Sequence, residues 1–209
     1  MNALIIGATG GIGSATALRL KDSFQLTLVG RNEAKLRELK TLTSATIVPT
    51  DVSSELEVQA LFEDMAPIDL LVYSVGDIQP ELLKMVSANV YQRVFDANVT
   101  GLVYTLKYAE AKLNEGSRIY VLGARPELIN YRGFAVYAAA KAAVKALVDI
   151  AAIEYKRKSS LTLVLPRAVN TDFWKKVGKA PADALSPDDV ARAITESLSS
   201  EAQAELKVD

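Results

Sequence analysis

Runs of branched apolar residues recur along the chain, and between them the apolar residues fall at helical spacing. Ala3-Leu4-Ile5-Ile6, Leu26-Thr27-Leu28-Val29, Leu70-Leu71-Val72-Tyr73, Ile119-Tyr120-Val121-Leu122 and Leu161-Thr162-Leu163-Val164-Leu165 are almost continuously apolar, as strands buried on both faces are. The pattern predicts strands near 2–6, 25–29, 45–49, 69–73, 117–122 and 161–165, with 204–208 a candidate seventh. Helices are predicted at roughly 11–21, 32–41, 54–65, 90–113, 135–157 and 187–198. The last has the clearest start: Ser186 as N-cap, Pro187 at the first helical position, and Asp188 and Asp189 in the first turn. This alternation predicts an α/β fold, a doubly wound parallel sheet of six to seven strands with helices on both faces.

One long irregular stretch, 167–185, interrupts the alternation and contains Gly178 and Pro181. Ligands of an open α/β sheet lie beyond the carboxyl ends of its strands, where this stretch should fall. It reads as a short substrate lid or as a plain surface connection.

Composition narrows the chemistry. The chain has 209 residues, half of them hydrophobic, enough for one sizeable core, so a single domain over 1–209 is expected. A net charge of −1 with dispersed Lys and Arg lacks the basic footprint of a nucleic-acid binder. There is no Cys and no His, which excludes disulfides, thiolate chemistry, Ser-His-Asp hydrolysis and most zinc sites, and no metal is expected. No charged leader precedes Ala3–Gly7, and the most apolar long stretch, 134–155, is interrupted by Lys141, Lys145, Asp149 and Glu154. A soluble cytoplasmic protein without membrane or nucleic-acid partners is the expectation.

Two motifs carry chemistry. Gly7-Ala8-Thr9-Gly10-Gly11-Ile12-Gly13 joins the first strand to the first helix. Its glycines allow a sharp turn and a close approach to a pyrophosphate, which the free N–H groups of a helix start would meet. A tight turn without a ligand does not call for four glycines in seven residues. In Tyr137-Ala-Ala-Ala-Lys141, a phenol and an ammonium four residues apart share one helix face. The cation can then favour the ionised phenol, and such a tyrosine can exchange a proton with an oxygen that gains or loses a hydride.

With these two motifs in order along it, the chain resembles the short-chain dehydrogenase/reductase family over nearly its whole length. The resemblance implies a single-domain Rossmann fold, NAD(P)-dependent hydride transfer on a small carbonyl or alcohol, and Tyr137, Lys141 and Asn98 as the catalytic set, Asn98 holding a water relay to the lysine. It further implies dinucleotide contacts at Gly7, Thr9, Gly10, Gly11, Ile12 and Gly13, at Asp51 with Val52 beside the adenine, at Ser74 and Gly76, and at Pro166 and Thr171. Locally, Asp51 reads equally well as a turn aspartate. At the end of the second strand Gly30-Arg31 stands where a carboxylate would repel a 2′-phosphate, and Arg31 would attract one, so NADP (NADPH) is favoured over NAD. Helices 90–113 and 135–157, whose counterparts in relatives pair across a two-fold axis, imply a homodimer or homotetramer.

The family pattern also breaks. A serine usually stands thirteen residues before the tyrosine and donates to the substrate oxygen; here that position is Ala124. Arg125, Ser74 and Tyr131 are candidate replacements. The usual Asn-Asn-Ala-Gly is Tyr73-Ser74-Val75-Gly76, and Arg167 replaces a glycine after Pro166, where it could bind an acidic substrate or fill part of the site. The alternative to an active oxidoreductase is a catalytically weak dinucleotide-binding redox sensor or interaction protein.

Overall fold

The computed structural model describes residues 1–209. Seven strands, β1 (Asn2–Ile6), β2 (Gln25–Gly30), β3 (Thr46–Pro49), β4 (Ile68–Tyr73), β5 (Leu113–Leu122), β6 (Ser159–Pro166) and β7 (Glu205–Val208), form one sheet. Its order is β3-β2-β1-β4-β5-β6-β7, and every pair is parallel. The order reverses between β1 and β4, and a crevice opens there at the carboxyl ends of the strands.

Side chains of successive strand residues alternate between two cores, as a period of two requires. Leu4, Ile6, Leu71, Tyr73, Ile119 and Val121 belong to one, with residues of α3 (Glu55–Glu63), α5 (Gly101–Ala109) and α6 (Ala135–Glu154). Ile5, Leu70, Val72, Tyr120, Leu122 and Val164 belong to the other, with residues of α1 (Gly11–Leu20), α2 (Glu33–Thr43) and α7 (Pro187–Ser197). At α7 the predicted start is realised as a capping box. Ser186 Oγ accepts from Asp189 N–H, and the Asp189 carboxylate accepts from Ser186 N–H at 2.9 Å.

The predicted helix 90–113 is instead a rod of several pieces. α4 (Ala88–Phe95) runs into a π-helical stretch, Asp96–Thr100, then into α5 and a 3-10 turn, Glu110–Lys112. Gly101 N–H reaches back five residues to Asp96 O. Asn98 sits in the widened turn, its Nδ2 donating to Val94 O at 2.8 Å. A side chain that takes a helix carbonyl in this way sustains a π-bulge. β5 begins at Leu113, earlier than predicted, because Leu113 pairs with Ile68 before the register shifts to Leu70↔Arg118. Gly116, at φ +77°, lies within the shifted segment.

Candidate active site

The first wall of the crevice is the β1–α1 loop. Gly7 has φ +86°, and a Cβ there would come within 2.8 Å of the Ser74 backbone, so only glycine fits the turn. Gly13 is pressed closer still, a Cβ falling 2.3 Å from Gly7 O. Ser74 Oγ donates to Ile6 O at 3.0 Å and to Gly7 O at 3.3 Å, fastening the loop to β4. The first helical bond of the turn is Ser14 N–H to Gly10 O. The N–H groups at the helix start therefore have no carbonyl of their own turn behind them.

A cleft of about 970 Å³ lies in front of this loop. Among the residues singled out from the sequence, Gly10, Gly11, Ile12, Arg31, Ser74, Gly76, Tyr137, Lys141, Pro166 and Thr171 line it. Others stand behind its wall. Gly7 and Gly13 shape the turn, Thr9 packs against Gly30, and Val52 is buried in a core. Asp51 Oδ1 accepts from Ser53 N–H at 3.0 Å and from Ser53 Oγ at 2.8 Å. Burial works against its charge, but those bonds and the nearby Arg31 hold its carboxyl below the usual range.

Tyr137 and Lys141 lie one turn apart on α6, both buried. Lys141 Nζ donates to Leu122 O at 3.0 Å and stands 5.9 Å from the centre of the Tyr137 ring. Burial pushes the lysine down to about 8 and the Tyr137 phenol up. The expected lowering of the phenol by the cation is thus reversed in the free chain, because desolvation outweighs an ammonium turned toward a carbonyl. Asn98 is buried behind Gly76, and its Nδ2 also donates to Asp77 O at 2.7 Å. Asn98 Oδ1 has no hydrogen-bond partner although buried. A Cβ on Gly76 would meet that oxygen at 3.1 Å and Lys141 Nζ at 3.6 Å, so the missing side chain keeps open a polar cradle between the two groups.

Two of the candidate replacements for the missing serine are otherwise engaged. Arg125 donates from Nε to Leu165 O at 2.9 Å, from one terminal nitrogen to Val208 O at 3.0 Å, and from the other to Asp209 Oδ1 at 2.8 Å. It clasps the end of β7 rather than reaching toward Tyr137. Ser74 holds the glycine loop. Tyr131 lines the cleft but lies beyond Phe134, with ring centres 5.7 Å apart, and Phe134 in turn lies 6.2 Å from Tyr137. Arg167 also lines the cleft and pairs with Asp183 at 3.1 Å, its Nε buried without a partner.

The stretch 167–185 contributes to the lining of the cleft. Its base is closed by Leu185 N–H to Ala168 O and Asn170 N–H to Leu185 O, both 2.8 Å. The 3-10 turn Asp172–Lys176 carries Phe173 and Trp174 into the lining. Lys176 then reaches Asp77, which follows Gly76 and also pairs with Arg93 of α4 at 3.1 Å. Asp77 and the aromatic run around Tyr137 were not singled out in the sequence. The density of rings between Tyr131 and Trp174 was a usable signal; the ion pairs of Asp77 join residues too distant in sequence to leave one.

The same fold occurs in known proteins. The family model for short chain dehydrogenases matches residues 1–182, and the chain belongs to that family. An uncharacterized oxidoreductase of Staphylococcus haemolyticus is 28% identical, with 94% of this chain and 90% of that protein covered. A short-chain oxidoreductase from Thermus thermophilus superposes with TM-score 0.89 at 38% identity, over 95% of this chain and 96% of the other. The closed form of a serine dehydrogenase complexed with NADP+ has TM-score 0.88 at 23% identity, over 100% and 94% of the two chains, a likeness of fold. No helix of this chain is long and apolar enough to cross a membrane.

Proposed function

We propose that the chain is an NADP-dependent oxidoreductase that transfers a hydride between a nicotinamide and a small carbonyl or alcohol. The observation that carries this reading is the buried Tyr137–Lys141 pair in the cleft, one turn apart on α6. The residues present fit a dinucleotide. Gly11 and Ile12 offer helix-start N–H groups to a pyrophosphate, and Gly10 lines the cleft beside them with its own N–H turned to Gly7 O at 3.0 Å. Arg31 offers its guanidinium to a 2′-phosphate, and the orphaned Asn98 Oδ1 faces the Gly76 cradle beside Lys141. Asp51 and Val52 flank the adenine end in this reading, Ser74, Gly76 and Lys141 the ribose, and Pro166 and Thr171 the carboxamide. When bound, NADPH supplies the hydride.

The protein's own part is proton transfer and positioning. Burial keeps the Tyr137 phenol protonated in the free chain, which suits donation to a carbonyl oxygen as it gains charge. A Lys141 held at about 8 is still mostly cationic at neutral pH and stabilises the phenolate left behind. Asn98 supports a water that returns the proton. Solved proteins of this fold carry NADP+ in one case and NAD in another, so the preference for NADP rests on Arg31. Tyr137→Phe should abolish carbonyl-dependent NADPH oxidation; turnover at an undiminished rate would sink the assignment.

Ala124 favours one rival, a dinucleotide-binding sensor with little catalysis. NADPH binding without turnover on any carbonyl, with turnover appearing in Ala124→Ser, would support the sensor. Exposed Val103 on α5 and Ile150 and Ile153 on α6 lie on the helices expected to pair, so a cytoplasmic homodimer or homotetramer belongs to the same reading. Light scattering of the purified protein tests it, and a strict monomer would count against it.

A further inference from the structure

Five aromatic rings form an unbroken run along the cleft, with Tyr137 in the middle. Their centres are spaced 5.7 Å from Tyr131 to Phe134, 6.2 Å from Phe134 to Tyr137, 5.5 Å from Tyr137 to Phe173 and 6.4 Å from Phe173 to Trp174. All five line the cleft. Two come from the segment before α6 and two from the lid, so the reactive phenol is flanked by ring edges and faces on both sides. Ring quadrupoles in offset and edge-on arrangements favour another flat ring over an aliphatic chain.

Most of the charges nearby are already paired, Arg167 Nε being left without a partner. Arg125 is spent on the end of β7, Arg167 is paired with Asp183, and Lys176 with Asp77. At the position from which a serine would donate there is only the methyl of Ala124. A substrate oxygen beside Tyr137 therefore meets one side-chain proton donor instead of two. Loss of one positioned donor at a developing oxyanion costs about 10²–10³ in rate. A carbonyl made electron-poor by an adjacent carbonyl needs less polarisation from the protein.

We propose that this subsite takes flat aryl 1,2-dicarbonyl compounds and reduces one carbonyl to a hydroxyl, a substrate class that rests on the NADPH-dependent oxidoreductase reading. In the step, the carbonyl carbon receives a hydride from the reduced nicotinamide dinucleotide and a C–H bond forms. The C=O π bond breaks onto oxygen, and that oxygen takes the Tyr137 proton. The dicarbonyl is reduced to an α-hydroxyketone, the dinucleotide is oxidised, and a solvent proton restores the phenol. Trp174 and Phe173 hold the aryl ring, and the second carbonyl supplies the activation that Ala124 does not.

Three probes separate the two halves of this idea: 1-phenyl-1,2-propanedione, its monoketone 1-phenyl-1-propanone, and the aliphatic 2,3-pentanedione. Turnover is read from NADPH oxidation. Binding is read without turnover from quenching of Trp174, the chain's one tryptophan. The aryl dione should exceed both others in kcat/KM by about tenfold or more. Ala124→Ser should narrow the gap between aryl dione and aryl monoketone. Phe173→Ala, with Phe173→Leu as the milder change, should raise the Kd of the aryl dione several-fold more than that of the aliphatic one. Equal kcat/KM for dione and monoketone, or equal Kd for aryl and aliphatic diones, would overturn the proposal while turnover of other carbonyls left the oxidoreductase reading in place. Absence of turnover with every carbonyl would overturn both.

Discussion

Lys141 shows what the site asks of a single residue. Burial holds it at about 8, well below an ordinary lysine near 10.5. Between those values the unfolded chain binds a proton that the folded chain has released, so stability from this group rises with pH from about 8 to 10.5. Below pH 8 both states are protonated, and the fold carries a desolvated cation. Lys141→Met relieves that desolvation but leaves Leu122 O without its donor; the variant should still be the more stable at pH 7, and the difference from wild type should shrink as pH rises through 8. Urea unfolding of both proteins across that range tests the sign; a variant less stable at pH 7 would contradict it. Arg31 gives a second expectation. Arg31→Asp should weaken NADPH about 10–100-fold, the loss of a charge-assisted contact, and leave NADH the better ligand by titration.

Among the elements, legibility followed sequence separation. The caps of α7 were readable because Ser186, Pro187, Asp188 and Asp189 act within one turn. Ser186→Ala should cost about 1 kcal/mol in thermal or denaturant unfolding. The rod at 88–112 was legible as helix but not in its pieces, since the π-helical stretch at Asp96–Thr100 has Asn98 bonded both within the rod and to Asp77 O of another segment. Asp77 itself joins three elements: its carboxylate holds Lys176 of the 3-10 turn Asp172–Lys176 and Arg93 of α4, and its carbonyl holds Asn98. Asp77→Ala should loosen the 167–185 stretch, with tryptic cleavage after Lys175 or Lys176 accelerated and Trp174 emission shifted toward that of exposed indole. A double-mutant cycle with Lys176→Ala should return a coupling of about 1 kcal/mol, since the acid is mostly covered. Additive effects would show that the pair is incidental.

For the whole molecule, the strand runs, the glycine loop and the Tyr137–Lys141 spacing were enough to place the fold and the mouth of the cleft. All are local patterns or direct consequences of a parallel sheet. The chemistry around Tyr137 was less readable. Ala124 was visible as a departure, yet nothing local showed that Arg125, its neighbour, would be taken by Val208 and Asp209. Nor did spacing show that desolvation would govern both members of the pair, because burial is a property of the packed molecule.

That grip of Arg125 on Val208 and Asp209 makes the cleft's charge conditional on a segment more than eighty residues away in sequence. Truncation after Lys207 would leave the guanidinium with one acceptor, Leu165 O, and an unpaired positive group at the residue next to Ala124. Such a shortened form should gain affinity for carboxylate-bearing ligands at the mouth, read by quenching of Trp174 with benzoylformate, and should lose that gain in Arg125→Gln. Removing Val208 and Asp209, neither of which lines the cleft, would in that way change the charge a ligand meets there, and would also release Arg167 N–H, which donates to Val208 O at 3.0 Å.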